Sequence, residues 1–415
     1  MKRNFFYAPC PPGLENLLCE ELKELGAKDV RPDGFGGRFT GDDEIGMRIC
    51  IHSRLASRVL MLLAKGPGSD PESLYRTVYN INWKEHLTPD TTIAVHFTGR
   101  TDAIRNTQFG AVRVKDACAD RMRKETGRRP SVKRKNPDLL IDVRIKKREA
   151  WVFLDLAGEP LHKRGYRQEG GQAPLRETLA AGILKRCSPD LFTSTPVENR
   201  EKHGNREFAV IDPMCGSGTF LIEAACMAAD IPPGQLRKSF GFLGWKKTDQ
   251  AKARRLLEEA GEQKIRGLEK IRDSGIRFIG FDRDARILET AKRNAERAGV
   301  GSLLELNALP LDELQTKIAS MNLPERGLVV TNPPYGERLG EESLSDLART
   351  YRSLGEVLSG ALAKYPAGVL IENENLGREL GIRGNKRYSL KNGQLKISLI
   401  LFQPGNSRVR PFAQS

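Results

Sequence analysis

The C-terminal part of the sequence, residues 173–405, alternates apolar strand-like segments with amphipathic helix-like segments. Buried strands are short runs of branched apolar residues, whereas helices are longer and place an apolar residue at every third or fourth position. Repeated strand–helix order predicts a doubly wound α/β sheet whose strands are mostly parallel. The predicted strands are FAVIDP, RFIGFD, SLLELN, GLVVT, GVLIEN and KISLILFQ.

Residues 1–158 follow a different order and predict a separate α+β module. Its predicted strands are FFYAP, GGRFTG, TIAVHFTG, LLIDVRI and AWVFLDL. Helices are predicted at 14–25, 53–63 and 74–81, and in the basic segment VRVKDACADRMRKET.

A short segment with the composition of a connector separates these two parts. The basic, glycine-containing segment HKRGYRQEGGQ follows the first module and is typical of a connector. We therefore predict an N-terminal module at 1–158, a linker at 159–172, a second domain at 173–405 and a tail at 406–415. A charged helix at 245–275 is expected to interrupt the strand–helix alternation of the second domain.

A net charge of +15 favours a polyanionic partner, with nucleic acid first and an acidic membrane surface second. Residues 121–148 hold twelve basic and three acidic side chains, and they include the strand-like segment LLIDVRI. A solvated loop would explain a basic run alone, but the strand favours a basic face on a folded element. The RNA-binding candidates in this run are Arg128, Arg129, Lys133, Arg134 and Lys135.

Cysteine and histidine placement argues against a metal site or a disulfide framework. The seven cysteines include no CxxC pair, and the five histidines show no metal-ligand spacing. No apolar run approaches the roughly 18 residues that a membrane-spanning helix needs. We expect a cytoplasmic protein with no metal and no membrane partner.

A glycine loop, MCGSGTF, follows the strand AVIDP and precedes an apolar helix. Gly216 and Gly218 allow a sharp turn and let a ligand approach the backbone closely. Asp212 closes the strand, where it can accept a hydrogen bond from an ammonium group. Asp282 ends the next strand and suits a ribose diol. A nicotinamide dinucleotide stays open as the ligand, although DPMCGSGT departs from G-x-G-x-x-G.

The motif Asn332-Pro333-Pro334-Tyr335 follows the strand GLVV. Two successive prolines remove two backbone donors, so the loop presents carbonyl oxygens. Those oxygens and the Asn332 amide can accept hydrogen bonds from an exocyclic amino group, while the Tyr335 ring can stack on a base. Holding the amino hydrogens draws the nitrogen towards a tetrahedral geometry and stabilises its developing positive charge. A plain Pro-Pro turn with a buried tyrosine is the alternative.

With these motifs the sequence resembles the S-adenosyl-L-methionine-dependent amino methyltransferases. The resemblance implies a Rossmann-like class I methyltransferase domain, with Asp212 and the glycine loop beside the methionine part of the cofactor and Asp282 at the ribose. In this motif family NPPY serves adenine N6, guanine N2, cytosine N4 or a glutamine amide. Further implied cofactor-binding residues are Met214, Cys215, Gly216, Gly218, Thr219, Asn307 and Glu177. Asp284 is the second candidate carboxylate after Asp282, and a helix N-cap is its alternative role.

Longer segments are similar to the RlmL-like family of bacterial large-subunit rRNA guanine-N2 methyltransferases. They include RNTQFGAVRVKDA, LDLAGEPLHKRGYR, APLRETLAA, DPMCGSGTFLIEAA and NPPYGERLG. The resemblance implies a ferredoxin-like part and a THUMP segment at about 44–155, and methylation of guanosine N2 in 23S rRNA. Asn307-Ala308 departs from the family's usual aspartate near the cofactor adenine. Some members carry a second fused methyltransferase, and we expect that activity to be absent here or on another chain.

Three other functions stay open. NPPY also serves adenine-N6 methylation of DNA, and THUMP-like modules are shared with tRNA guanine-N2 methyltransferases. A non-catalytic RNA-binding assembly factor would keep the fold without turnover. Methyl transfer to rRNA, tRNA and duplex DNA distinguishes these functions.

Overall fold

The structure is a computed structural model that describes residues 3–168, 175–188, 207–334 and 344–404. The predicted tail at 406–415, Tyr335 and part of the predicted linker lie outside the described residues. The chain divides into two compact units. The first contains Met1–Cys10, Glu15–Lys163 and Arg237–Ala260; the second contains Pro11–Leu14, Arg164–Leu236 and Gly261–Ser415. The domain limits given above from the sequence stay a prediction.

A seven-stranded sheet forms the first unit, in the order β2-β3-β1-β4-β7-β6-β5. Only β5 and β6 among these neighbours run parallel. The strands are β1 (Asn4–Pro9), β2 (Lys28–Pro32), β3 (Gly36–Gly41), β4 (Leu60–Pro67), β5 (Ile93–Thr98), β6 (Leu139–Lys146) and β7 (Glu149–Asp155).

Four helices accompany this sheet: α1 (Glu15–Glu24), α2 (Asp43–His52), α3 (Pro71–Tyr79) and α4 (Thr107–Thr126). The bounds of α4 follow from its caps. The Asn106 side chain accepts hydrogen bonds from Gln108 N and Phe109 N at the start, and Gly127 adopts φ +75° at the end. Helix α3 packs on β4 and α4 packs on β5, so one face of the sheet is covered.

The helix predicted at 53–63 is wrong. Helix α2 lies earlier, at 43–52, where the Asp42 side chain accepts a hydrogen bond from Ile45 N. The apolar run that follows is β4, which pairs with β1 on one side and β7 on the other. Short apolar runs do not distinguish a buried strand from a helix, and pairing with distant strands decides between them.

The second unit contains a seven-stranded sheet in the order β10-β9-β8-β11-β12-β14-β13. The first five strands in this order are parallel, and β14 and β13 form an antiparallel edge. This arrangement confirms the predicted doubly wound, mostly parallel sheet. Its strands are β8 (Phe208–Asp212), β9 (Ile276–Asp282), β10 (Leu304–Ala308), β11 (Gly327–Thr331), β12 (Ala367–Ile371), β13 (Lys386–Asn392) and β14 (Leu395–Phe402).

The remaining helices continue the numbering along the chain. They are α5 (Glu177–Cys187), α6 (Thr219–Ala228), α7 (Gln250–Arg272), α8 (Ala285–Ala298), α9 (Leu311–Ala319), α10 (Leu344–Ser359) and α11 (Glu374–Glu379). Helix α7 is the charged helix predicted at 245–275, whereas β2, β13, α9 and α11 were missed. Within the described residues, no helix is long and apolar enough to cross a membrane.

The start of the charged insertion packs within the first unit. The Trp245 ring stacks on His86 at 6.2 Å between centroids, and Trp245 Nε1 donates a hydrogen bond to His86 Nδ1 at 3.1 Å. Burial lowers the pKa of His86 to about 4, so its ring is neutral and Nδ1 can accept this bond. The insertion is therefore not a wholly solvated surface element.

Candidate active site

Three parallel strands end side by side in the second unit. Strand β8 lies between β9 and β11, and the chain reverses its winding direction at β8. In doubly wound sheets a crevice opens at such a point, outside the carboxyl ends of the strands. Asp212 ends β8, Asp282 ends β9 and Thr331 ends β11, directly before Asn332. The sequence motifs therefore meet at the edge where this fold binds ligands.

The glycine loop turns sharply after β8. Gly216 and Gly218 adopt φ +52° and +80°, a region that side chains with a Cβ rarely occupy. Gly216 N donates a hydrogen bond to Asp282 Oδ2 at 2.9 Å, which ties the loop to the end of β9. A Cβ placed on Gly216 would meet nothing within 4 Å. The loop backbone therefore borders open space that a ligand can enter.

Asp212 is a buried carboxylate with an altered acidity. It is 2% exposed, and its Oδ1 accepts a hydrogen bond from Met214 N at 3.1 Å. Burial raises the pKa of Asp212 to about 7; the Thr331 hydroxyl and the Met214 amide oppose the rise, and the charge of Asp282 adds to it. A cation close to this carboxylate would favour its ionised form.

Asp282 and Asp284 hold the neighbouring loop. Asp282 Oδ1 accepts a hydrogen bond from Asp284 N at 3.0 Å, while its other oxygen holds Gly216. Asp284 caps α8, because its side chain accepts a hydrogen bond from Arg286 N at 2.9 Å. The geometry thus gives Asp284 a helix-capping role, and of these two acids it is Asp282 whose side chain accepts a hydrogen bond from the glycine loop.

A buried network, missed in the sequence, lies beside the glycine loop. Arg167 Nη2 donates a hydrogen bond to the Thr219 hydroxyl at 2.5 Å, and its Nη1 lies 3.5 Å from Glu177 Oε1. Arg167 Nη1 also donates to the Leu175 carbonyl oxygen at 3.1 Å. Arg167 therefore joins the first residues of α5 and α6, two of which were predicted to bind the cofactor.

The same connector holds a second buried group. Tyr166 donates a hydrogen bond from its hydroxyl to Glu223 Oε1 at 3.0 Å, and Arg164 lies 3.7 Å from Glu223 Oε2. Burial raises the pKa of the Tyr166 hydroxyl well above its ordinary value, so it stays a neutral donor. A short basic segment gives no indication in the sequence that its side chains are buried. The burial of the RGYR segment, residues 164–167, is revealed only by its partners in the folded chain.

The remaining predicted residues are Cys215 within the loop, Asn307 on β10 and residues 332–334 directly after β11. Asn307 is on β10 beside Phe281 in the sheet register, one residue before the partner of Asp282. Cys215 is buried, and burial raises the pKa of its thiol well above the ordinary value, so it is inert. Asn332 and Pro334 are half-buried and Pro333 is buried. No group of three His, Cys, Asp or Glu side chains in the described parts of the chain could hold a metal ion.

Three family models match successive parts of the chain. The RlmL ferredoxin-like domain matches residues 5–60, the THUMP domain matches 68–155, and the RMKL-like methyltransferase domain matches 199–400. The chain belongs to the RlmL-like methyltransferase family. The predicted fold class, a Rossmann-like methyltransferase domain after a ferredoxin-like and THUMP module, is confirmed.

Curated relatives agree with this family. The chain is 42% identical to ribosomal RNA large subunit methyltransferase K/L of Cellvibrio japonicus, over 96% of this chain and 51% of that protein. It is 41% identical to the protein of the same name from Syntrophotalea carbinolica, over 97% of this chain and 54% of that protein. The chain thus spans about half the length of the curated relatives it matches.

Solved structures resemble nearly the whole chain. SMU.472, described as a candidate methyltransferase and solved with SAH, gives a TM-score of 0.80 at 27% identity, covering 99% of this chain and all of that one. A predicted N6-adenine-specific DNA methylase from Listeria monocytogenes gives 0.78 at 27% identity, covering 97% of each chain. Both support a methyltransferase fold.

Within the THUMP range, the predicted RNA-binding residues differ in their surroundings. Arg128 pairs with Asp90 and Arg129 with Asp120, each at 2.6 Å. Lys133, Arg134 and Lys135 are exposed, and the latter two have no ion-pair partner among the described residues. The candidate basic surface is therefore concentrated at 133–135.

Proposed function

We propose that this RlmL-like chain transfers a methyl group from S-adenosyl-L-methionine to the N2 amino group of a guanosine in 23S rRNA. The main support is the meeting of Asp212, Asp282 and Asn332 at the carboxyl ends of three adjoining strands, with the glycine loop between them. The names of the curated relatives support the rRNA substrate. Such a substrate would place the chain in the cytoplasm of a bacterium.

The residues at the loop fit the proposed cofactor. Gly216 leaves open space beside the backbone, Asp212 can face an ammonium group, and Asp282 can accept hydrogen bonds from ribose hydroxyls. Met214, Cys215, Gly218 and Thr219 complete the loop, and Asn307 lies one strand further, on β10. Glu177 lies on α5 and reaches this region through Arg167. When bound, the cofactor supplies an electrophilic methyl group on a sulfonium.

The Asn332 segment performs the chemistry of holding the target amine. An aromatic amine is a weak nucleophile because its lone pair is delocalised into the ring. The Asn332 side-chain carbonyl and the backbone carbonyls before the prolines are acceptors for the amino hydrogens, and they stabilise positive charge on nitrogen. The prolines fix the backbone dihedral φ, so the acceptors are oriented before the base arrives. We further propose that Tyr335 stacks on that base.

Methyl transfer to defined nucleic acids tests this function. Labelled S-adenosyl-L-methionine is incubated with deproteinised 23S rRNA, tRNA and duplex DNA, and the modified nucleoside is identified by mass spectrometry. N2-methylguanosine in 23S rRNA is the expected product. Transfer only to tRNA or only to DNA would identify that nucleic acid, rather than 23S rRNA, as the substrate. Transfer to none of the three would favour a non-catalytic assembly factor.

Cofactor affinity is expected to fall about tenfold between pH 8 and pH 6. With a pKa near 7, about nine tenths of Asp212 is ionised at pH 8 and about one tenth at pH 6, and only the ionised form attracts an ammonium group. Equilibrium binding of S-adenosyl-homocysteine at each pH measures this effect. Asp212→Asn should bind weakly with a flat pH profile; an equally steep profile in that variant would assign the titration elsewhere.

The exposed basic residues at 133–135 are expected to contribute to RNA affinity through phosphate contacts. Replacing Lys133, Arg134 and Lys135 by glutamine should lower the slope of log affinity against log salt by about 2, since each contact contributes about 0.7 on single strands. Replacing both Arg128 and Arg129 by glutamine should lower this slope less for each charge removed, because a phosphate must compete with Asp90 and Asp120 for these side chains. Filter binding across a salt series measures the slope for both sets of variants. Slopes equal to that of the wild-type chain in all variants would show that this basic run is a solvated loop without RNA contacts.

A further inference from the structure

The first-unit sheet has a second face on which aromatic and basic side chains alternate. In the strand register Arg38 lies opposite Tyr7, and both Lys65 and Arg144 lie opposite Trp151, so these side chains share one face. Helices α3 and α4 cover the other face, where Ala150, Val152 and Leu154 are fully buried. We call the open side the aromatic–basic face, defined by Phe5, Tyr7, Arg38, Lys65, Arg144, Lys146, Trp151 and Phe153.

The rings of this face form a continuous row. Trp151 lies 6.4 Å from Phe5 and 6.4 Å from Phe153 between centroids, and Tyr7 lies 6.4 Å from Phe153. Trp151 and Phe5 are half-buried, whereas Tyr7 and Phe153 are buried. The row therefore offers two accessible rings above a rigid aromatic base.

Cations cover these rings. Lys65 Nζ lies 4.7 Å and Lys146 Nζ 5.8 Å from the Trp151 ring centroid, and Arg144 lies 4.8 Å from that of Tyr7. Both lysine side chains are 43% exposed; Lys65 also pairs with Glu149 at 3.0 Å and Lys146 with Asp33 at 3.4 Å. Exposed pairs of this kind are weak, so the lysines can exchange a ring or carboxylate for a phosphate.

The indole N–H of Trp151 is unsatisfied. Nε1 is buried and has no hydrogen-bond partner among the described residues. Buried donors in folded proteins are nearly always paired, so an unpaired one calls for an explanation. This donor is shielded from solvent, so a base stacked on the exposed part of the ring would not contact it.

We propose that the aromatic–basic face binds a single-stranded segment of the RNA substrate. Bases stack on Trp151 and Phe5, while Lys65, Lys146 and Arg38 contact phosphates. Bases in a duplex are stacked on one another and cannot lie on the rings, so single strands are the preferred form. This inference rests on the proposed RNA substrate and adds the place and the conformation in which part of it is held.

Tryptophan fluorescence reports directly on this binding. The chain contains three tryptophans, and Trp83 and Trp245 are buried, so a stacking base quenches mainly Trp151. An oligouridylate of about ten nucleotides, within the usual site sizes, is the single-stranded probe. With the full chain, we expect quenching by the oligouridylate and little quenching by a mixed-sequence RNA duplex of similar length. Stronger quenching by the duplex, or none by either, would overturn the proposal.

Matched variants locate the site. Trp151→Leu should weaken oligouridylate binding about tenfold, as expected for loss of one stacked base, while Trp151→Phe should retain most of it. Lys65→Gln with Lys146→Gln should lower the salt slope by about 1.4. The control is Phe109→Leu on α4, which removes a 45% exposed ring away from this face and should change affinity by less than about twofold. Equal affinities in all four variants would contradict the proposal.

Methyl transfer separates this inference from the proposed function. If the wild-type chain methylates 23S rRNA but Trp151→Leu binds the oligouridylate as tightly as the wild-type chain does, the RNA-binding role of the aromatic–basic face is rejected and the proposed function stands. Absence of transfer to any RNA would reject the proposed function, whether or not the face binds single strands. If both hold, Trp151→Leu should raise the KM for rRNA and leave kcat nearly unchanged.

Discussion

Asn332→Ala is expected to lower methyl transfer by about two to three orders of magnitude, with cofactor affinity changed by less than about threefold. The variant removes a side-chain acceptor that acts on the amino group as it becomes positively charged, and such groups contribute mainly to the transition state. Asn332 directly follows β11, whereas the glycine loop follows β8, so cofactor contacts at that loop should persist. Single-turnover rates and equilibrium cofactor binding measure the two quantities.

The matched control is Asn375→Ala, which shortens an exposed asparagine on α11 in the same unit. It should retain turnover within about twofold, as surface substitutions usually do. If Asn332→Ala instead loses cofactor binding, Asn332 supports the loop rather than the amine. If its turnover is unchanged, the amino group is held by other acceptors.

The sheet of the second unit was predictable because its signals are local. Most of its parallel strands are short apolar runs, and the residues that carry the chemistry end those strands or follow them directly. Carboxyl ends of parallel strands meet at one edge, so Asp212, Asp282 and Asn332 could be placed together from the sequence. Strand β13 was missed because its exposed charged residues hide the alternation, although it pairs with β14 along its whole length.

The missed features depend on partners distant in sequence. Lys65 and Trp151 share a face only because β4 pairs with β7, and the 53–63 segment was misassigned for want of that pairing. Arg128 and Arg129 remain predicted RNA-binding residues, but the sequence did not show that Asp90 and Asp120 pair with them. Arg164 and Arg167 lie in a glycine-containing basic connector. Nothing in the local sequence pattern indicates that they are buried and pair with Glu223 and Glu177. The spacing of motifs along the sequence can reveal a site, but only the folded structure shows which charged side chains are paired.

Glu223→Ala is expected to destabilise the second unit by about 3–5 kcal/mol, the usual cost of breaking a buried ion pair by removing one partner. Glu223 and Arg164 side chains are 2% and 3% exposed, and the Tyr166 hydroxyl donates to the same carboxylate. Removing the carboxylate leaves a buried guanidinium and a buried hydroxyl without this acceptor. For a unit of this size the midpoint of thermal unfolding should fall by roughly 10 °C in calorimetry.

Two variants test whether the buried charge is the cause. Glu159→Ala removes the exposed ion pair with Lys163 in the preceding segment and should shift the midpoint by less than about 2 °C. Arg164→Met combined with Glu223→Leu removes both charges and should recover much of the stability, because apolar replacement of a buried pair is often neutral. If the double variant is as unstable as Glu223→Ala, lost hydrogen bonding to Tyr166 or poor packing is responsible. In that case Glu223→Gln, which keeps an acceptor for the hydroxyl, should be the more stable single variant.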